Sequence, residues 1–276
     1  MEFLTQPLLL PHIAADSFGY STISDDWIHI WLNSFNAQRK RGGIVVFDPD
    51  GTMKRIYSHK LRQDGYQVKC FNTACFCTSV GYNPFVYAQS GVNITKFVGA
   101  FVSGTEGCEA PDSPSFVSAE TALLTALFAY VSIQAPQHEW NFSTVTEMLK
   151  SMLEAGASLR YDNGSYHTNT VDYLFDILKS NKSQCLAVRR YEEFKRMMGF
   201  NATMIIESCI ERLKPFSNAI VDAYLSNDEV DLKSFGMNDR KTVIFISAGK
   251  SETFDFLAPL LYTQLIDTLC FEIVNN

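Results

Sequence analysis

The sequence predicts an α/β fold in which a parallel sheet layer is interrupted by a large all-α block. Three observations carry that prediction. Ile44 to Phe47 is a short apolar run between Gly42-Gly43 and Asp48-Pro49-Asp50-Gly51, the pattern of a buried strand ending in a turn. Residues 116–225 are helical in pattern almost throughout. Thr242 to Ser247 (TVIFIS) then reads as a second buried strand. Strand texture thus stops at one end of the helical stretch and resumes at the other.

The elements follow in order. Asp25 to Ala37 suits a helix, and Arg39-Lys40-Arg41 behind it places cations at the negative end of its dipole. After the first strand, Lys54 to Asp64 suits a helix stopped by Gly65, and Tyr66 to Phe71 alternates as a strand. Strand, helix and strand over residues 44–71 have the size of a βαβ unit, which implies a parallel sheet. The segment SAETALLTALFAYV is rich in strong helix formers and apolar on more than one face, so it belongs inside. Ser143 starts another helix that Gly156 can end. Asp172 to Lys179, Cys185 to Met198 and Ala202 to Leu213 read as amphipathic helices, and Thr253 to Ile273 as a long apolar one. The expected organisation is a partial α/β core over 1–103, an all-α domain over 104–239, and a returning strand and helix over 240–276.

Composition narrows the function classes. The 276 residues are 46% hydrophobic and 19% charged, which excludes wholesale disorder. Thirty acidic and twenty-three basic side chains leave a net charge of -7, poorly suited to gripping a phosphate backbone over the whole surface. Direct sequence-specific DNA binding is not expected. No run of about eighteen uncharged apolar residues is present, so no membrane span is expected. Glu2, Gln6 and Pro7 interrupt the apolar N-terminus, which also lacks a leading cation, so it does not read as a signal peptide. Seven scattered cysteines read as reduced thiols, and the C-x4-C-x-C spacing of Cys70, Cys75 and Cys77 lacks the second pair a zinc site needs. No two of the five histidines are four residues apart, so no metal site is expected.

Two motifs offer chemistry. Asp48 to Thr52 (DPDGT) after an apolar strand matches the nucleophile loop of haloacid-dehalogenase phosphatases, with Asp48 attacking phosphorus, Asp50 moving protons and Mg²⁺ holding the phosphoryl oxygens. That chemistry needs a later acidic pair, whereas TVIFIS runs into Ala248-Gly249-Lys250; DPDG is also a good turn sequence in its own right. Lys250 and Ser251 follow a strand and precede a helix, the setting of a phosphate-binding loop. Ile244 stands where the first glycine of that loop belongs, so a plain strand-to-helix connection is the simpler reading. The basic stretch Arg189-Arg190 with Lys195-Arg196 is interleaved with Glu192 and Glu193, as on a solvated helix face with its own ion pairs.

Seven segments taken together resemble one family. They are IVVFDPDGTMKR, GYQVKCFN, YNPFVY at Tyr82, AETALLTALFAYV at Ala119, NFSTVTEML at Asn141, AVRRYEEFK at Ala187 and FDFLAPLLYTQL at Phe254. In order and spacing they resemble the coupling proteins of conjugative type IV secretion, the TraG/TraD-type ATPases, over residues 44–272. The resemblance implies a RecA-like core interrupted by an all-α domain that meets the relaxase or relaxosome, or another secretion substrate. It also implies ATP and Mg²⁺ as the family's cofactors, hexamers, and a cytoplasmic position at the inner face of the membrane.

The sequence departs from that pattern at the catalytic positions. Near Ser24 to His29 (SDDWIH) the Gly-Lys-Ser/Thr of the phosphate loop is missing, and Ser17 to Thr22 (SFGYST) lacks its lysine. After the first strand, Asp50 and Thr52 replace the family's lysine and glutamate. The chain stops at Asn276, ahead of the family's acidic metal-binding strand, and the family's N-terminal membrane helices are not in the sequence. Such a chain is expected to be a truncated or degenerate coupling-protein homologue that binds without hydrolysing ATP. It would contact a relaxase or other secretion substrate, or full-length coupling-protein subunits. A Mg²⁺-dependent phosphatase, or an ATPase completed by a partner chain, are the alternatives.

Overall fold

The computed structural model describes residues 43–107, 113–154, 169–235, 241–248 and 253–275. Among these residues are three strands, β1 (Gly43–Phe47), β2 (Tyr66–Asn72) and β3 (Lys241–Ser247). Helix α1 (Thr52–Gln63) joins β1 to β2. Seven helices follow: α2 (Gly91–Gly104), α3 (Pro114–Gln134), α4 (Phe142–Glu154), α5 (Thr170–Lys182), α6 (Leu186–Met197), α7 (Ala202–Leu213) and α8 (Ala219–Ser226). Helix α9 (Leu257–Asn275) comes after β3.

All pairing is parallel, in the order β1-β3-β2, with Val45 opposite Ile244 and Val68 opposite Val243. The parallel sheet is as expected, but its two early strands do not touch. β3 enters between them from far along the chain, which explains why Val243 to Ile246 is an unbroken apolar run: Thr242–Ser247 are all buried. Gly65, at φ 83°, takes the left-handed turn that ends α1 and opens β2. Gly43 starts β1 against the Phe235 ring, where a Cβ would lie 2.3 Å from that ring.

Some of the helices start where a short polar side chain occupies a first amide. The Ser90 hydroxyl accepts from Asn93 N ahead of α2, and Asn169 and Asp172 form a reciprocal capping box on α5. α2 had no counterpart in the sequence reading. Its glycines at 91, 99 and 104 mask a face of Ile94, Phe97, Val98 and Phe101, all buried. α9 starts at Leu257 rather than Thr253, because residues 253–256 form turns first.

α3 is buried on nearly every side, as SAETALLTALFAYV predicts. It is also long and apolar enough to cross a membrane, contrary to the expectation from composition, although 72% of its apolar window is buried within the fold. Phenylalanines form the centre of the core. Phe85 lies 5.1 Å from Phe97 and 5.2 Å from Phe128, Phe142 lies 4.4 Å from Phe216, and Phe101 lies 5.9 Å from Phe256.

One cysteine expectation is corrected. Cys75 and Cys77 are joined as a disulfide, whereas Cys70, Cys185, Cys209 and Cys270 take part in none. The short turn over Phe76–Thr78 buries Phe76 while Cys77 is exposed and Cys75 half-buried, so the sulfurs share one side. Among the described residues no group of three potential ligands is placed to hold a metal.

Candidate functional site

In a parallel sheet the carboxyl ends of the strands are the first place to look for a ligand site. Among the described residues, the chain's own hydrogen bonds tie this edge on both flanks of β3. Asp48, just past β1, is 1% exposed. Its amide donates to Ile246 O at 2.8 Å, while Oδ1 accepts from Met53 N at 3.0 Å and Oδ2 from Lys54 N at 2.8 Å. Both oxygens therefore sit on the amides that open α1, where the dipole favours an anion. A carboxylate held this way caps the helix.

Asp50 is exposed and folds back on Thr52, accepting from its amide at 3.1 Å and its hydroxyl at 2.8 Å. Those two bonds, the amide's first, hold the Asp50 carboxyl below the usual carboxylate range. On the other flank of β3, Thr73 N donates to Ser247 O at 3.0 Å and the Thr73 hydroxyl to Asp255 Oδ1 at 3.0 Å. Lys250, Ser251 and Arg39 to Arg41 lie outside the described residues.

A second polar cluster ties the sheet to the segment behind α8. Lys69 Nζ donates to Glu229 O at 3.0 Å and Val230 O at 2.9 Å. Desolvation lowers the pKa of this ammonium. The Tyr87 hydroxyl donates to Asp228 Oδ2 and accepts from Leu232 N at 2.9 Å, while Asn83 Nδ2 donates to Trp140 O and Ser226 O. Burial raises both the Asp228 carboxyl and the Tyr87 phenol above their ordinary values. The segment YNPFVY is therefore the joint between the two layers. Tyr82 extends it by donating to Gln264 Oε1 on α9 at 2.6 Å.

The helical block carries an open cleft with aromatic and charged walls, about 420 Å³ between α5 and α6. Its floor is Phe175 stacked on Tyr191, with centroids 4.0 Å apart. At one end the buried Asp172 accepts from the Tyr191 hydroxyl at 2.9 Å and from Lys195 Nζ at 2.5 Å. Burial, and then the Asp172 charge, push the Tyr191 phenol far above its usual value. Lys179 pairs with Glu192 at 2.6 Å along the wall, and Asp176 and Arg196 complete the lining. The basic stretch of α6 therefore behaves differently from a solvated face. Arg190 does pair within its helix, with Glu193 at 2.7 Å, but Lys195 crosses to α5. Asp172 and Tyr191 escaped the sequence reading because their partners are 19 and 23 residues away; the signal available was an Asp at the third position of a helix.

A deeper ion pair fixes this block. Arg212 on α7 grips Glu120 on α3 with two bonds, Nε to Oε1 at 2.9 Å and Nη2 to Oε2 at 3.0 Å, while Ser208 Oγ donates to Oε1 at 2.6 Å. Arg212 Nη1 also donates to the carbonyls of Val102 and Thr105, so α2, α3 and α7 share one guanidinium.

The comparisons decide the family. The model of the family described as type IV secretory system conjugative DNA transfer matches residues 36–270. The chain belongs to this family. The match spans the sheet and the helical block alike, and it bears out the coupling-protein resemblance carried by the seven segments. A search of curated proteins finds no match. Membership places the chain in conjugative DNA transfer, and the matched residues include both the described sheet edge and the α5–α6 cleft.

Proposed function

We propose that this member of the conjugative DNA transfer family is a TraG/TraD-type coupling component that works by binding rather than by ATP hydrolysis. In this reading the three parallel strands belong to a RecA-like core, and the helical block is the part that meets a relaxase, relaxosome or other secretion substrate. It acts in the cytoplasm, held at the inner face of the membrane through partners such as full-length coupling-protein subunits. ATP and Mg²⁺ are not cofactors of this chain. The observation that carries the non-hydrolytic part is in the sequence: SDDWIH at Ser24 to His29 has no Gly-Lys-Ser/Thr to hold a phosphate, and at the sheet edge the Asp48 carboxylate takes the first amides of α1. The cleft between α5 and α6 supports the binding part, with an aromatic floor to bury an apolar side chain and charges of both signs to orient it. The net charge of -7 favours a basic protein partner over DNA.

The test has two arms. Purified chain with Mg²⁺ and ATP is expected to release no phosphate above background, with Asp48→Asn equally silent. Binding to a purified relaxase–DNA complex is expected to weaken about tenfold, or about 1.4 kcal/mol, in Asp176→Lys, which inverts one wall of the cleft without entering the core. Mg²⁺-dependent turnover of ATP overturns the first arm, and unchanged binding by Asp176→Lys overturns the second.

A further inference from the structure

The disulfide turn after β2 sits at a junction. Phe76, between the two cysteines, is 7% exposed; its ring meets Phe254 edge-on at 5.2 Å and lies 6.3 Å from Tyr224. It is thus seated between α8, which carries Tyr224, and the turns that lead into α9, which carry Phe254. Thr73 fastens the same junction through Asp255, and Asn72 and Ser79 brace the turn, Asn72 N donating to Ser79 Oγ at 3.0 Å. The sulfurs lie on the opposite, outward side, with Cys77 exposed and Cys75 half-buried.

We propose that Cys75 and Cys77 form a reversible thiol–disulfide exchange site for small thiols and disulfides of the glutathione class, and that closing it clasps Phe76 into the seam between α8 and the start of α9. A bond that closes so short a loop removes little freedom from the unfolded chain, so the fold does not depend on it and both redox forms stay folded. The same shortness keeps the two sulfurs near each other after reduction, their Cα atoms being 5.4 Å apart, so reclosure is intramolecular. The exposed sulfur is the one an incoming thiolate reaches. Buried Cys70 and Cys209 do not compete with it.

The exchange balances in two steps. A glutathione thiolate attacks Sγ of Cys77, breaking the S–S bond and releasing the Cys75 thiolate. A second glutathione thiolate then attacks the glutathione sulfur of that mixed disulfide, releasing the Cys77 thiolate and forming glutathione disulfide. Two electrons pass from two glutathiones to the protein, and the protons the glutathione thiols lose are regained by the two cysteines.

The experiment equilibrates the full chain in graded mixtures of glutathione and glutathione disulfide, quenches with acid, alkylates and maps peptides. The peptide holding Cys75 and Cys77 is expected to pass from disulfide to doubly alkylated in one two-electron step. Amide hydrogen exchange over 74–80 and 253–257 is expected to quicken about tenfold on reduction. Cys75→Ser and Cys77→Ser are each expected to show the fast exchange at every ratio. Two alkylated thiols at all ratios, or a stable glutathione adduct at Cys77 as the end state, would overturn the exchange site. A clean redox step with hydrogen exchange unchanged would overturn the clasp.

Discussion

The aspartates that follow β1 and the buried ion pairs of the helical block find their partners in opposite ways, although Lys69 and Thr73 on the sheet also reach partners far along the chain. At the sheet's carboxyl edge, partners on either side of Asp48 and Asp50 are five, six or two residues away, and the interior of β3 is apolar from Val243 to Ile246. In the block, Glu120 and Arg212 meet across 92 residues and Asp172 and Lys195 across 23. Local partners re-form wherever the backbone forms, so losing one costs a single hydrogen bond. Distant partners meet only in the finished fold, and losing one strands a buried charge. The block is therefore the part of the molecule in which single polar substitutions are expected to be most damaging.

The widest gap between the two regions is expected at Arg212. Arg212→Ala leaves the Glu120 carboxylate buried with only Ser208 beside it and is expected to cost about 3–5 kcal/mol, read by denaturant unfolding. Pairing it with Glu120→Gln is expected to restore much of that loss; a double variant as unstable as the single one would mean that packing, not charge, is what Arg212 supplies.

Alkaline titration bears on both regions: burial raises Tyr66 on β2, and the phenols raised furthest lie in the block and its joint. Tyr82, Tyr87 and Tyr191 all have folded pKa values above the ordinary 10.0, with burial the first cause of each. Their contribution is complete below the unfolded value and is lost as pH rises toward the folded one. Stability is expected to fall above about pH 10 by about 1.4 kcal/mol per pH unit for each tyrosine. Tyr191→Phe is expected to flatten that slope by one proton in equilibrium unfolding followed against pH, and an unaltered slope would remove Tyr191 from the account.

On the sheet side the effects shrink. Asp48→Ala empties the cap on α1 and is expected to cost about 1 kcal/mol, with Asp48→Asn costing less because its amide oxygen still accepts. A loss as large as that of Arg212→Ala would break the comparison. Lys179→Ala is the smallest case, since the pair with Glu192 is exposed on both sides, 55% and 47%, and open to screening. No resolvable change in Tm is expected.

Much of this was legible beforehand. The DPDG turn, the helix at Ala202–Leu213 and the buried strand at 242–247 follow from local pattern, and the structure places them within a residue of the reading. The functional motifs left more for the fold to decide. DPDGT carries the spelling of a phosphatase nucleophile, yet Asp48 caps a helix, because spacing in the chain does not say which amides a carboxylate will meet. α2 was passed over for its glycines, although Ser90 and the face from Ile94 to Phe101 hold it as a helix once α3 covers that face. The cleft was hidden because Lys195, set among Glu192 and Glu193, looks paired within its own helix and is instead drawn to Asp172.

The sequence by itself determined the kinds of element, their order and the family, since periodicity, capping residues and turn glycines act over a few neighbouring residues. Only the tertiary structure decided that β3 separates β1 from β2, that Arg212 holds three helices through one guanidinium, that Cys75 and Cys77 face outward together, and that α5 and α6 leave a cleft. Those outcomes depend on which surfaces meet when distant segments pack, and burial alone sets the cost of leaving their polar groups unpaired.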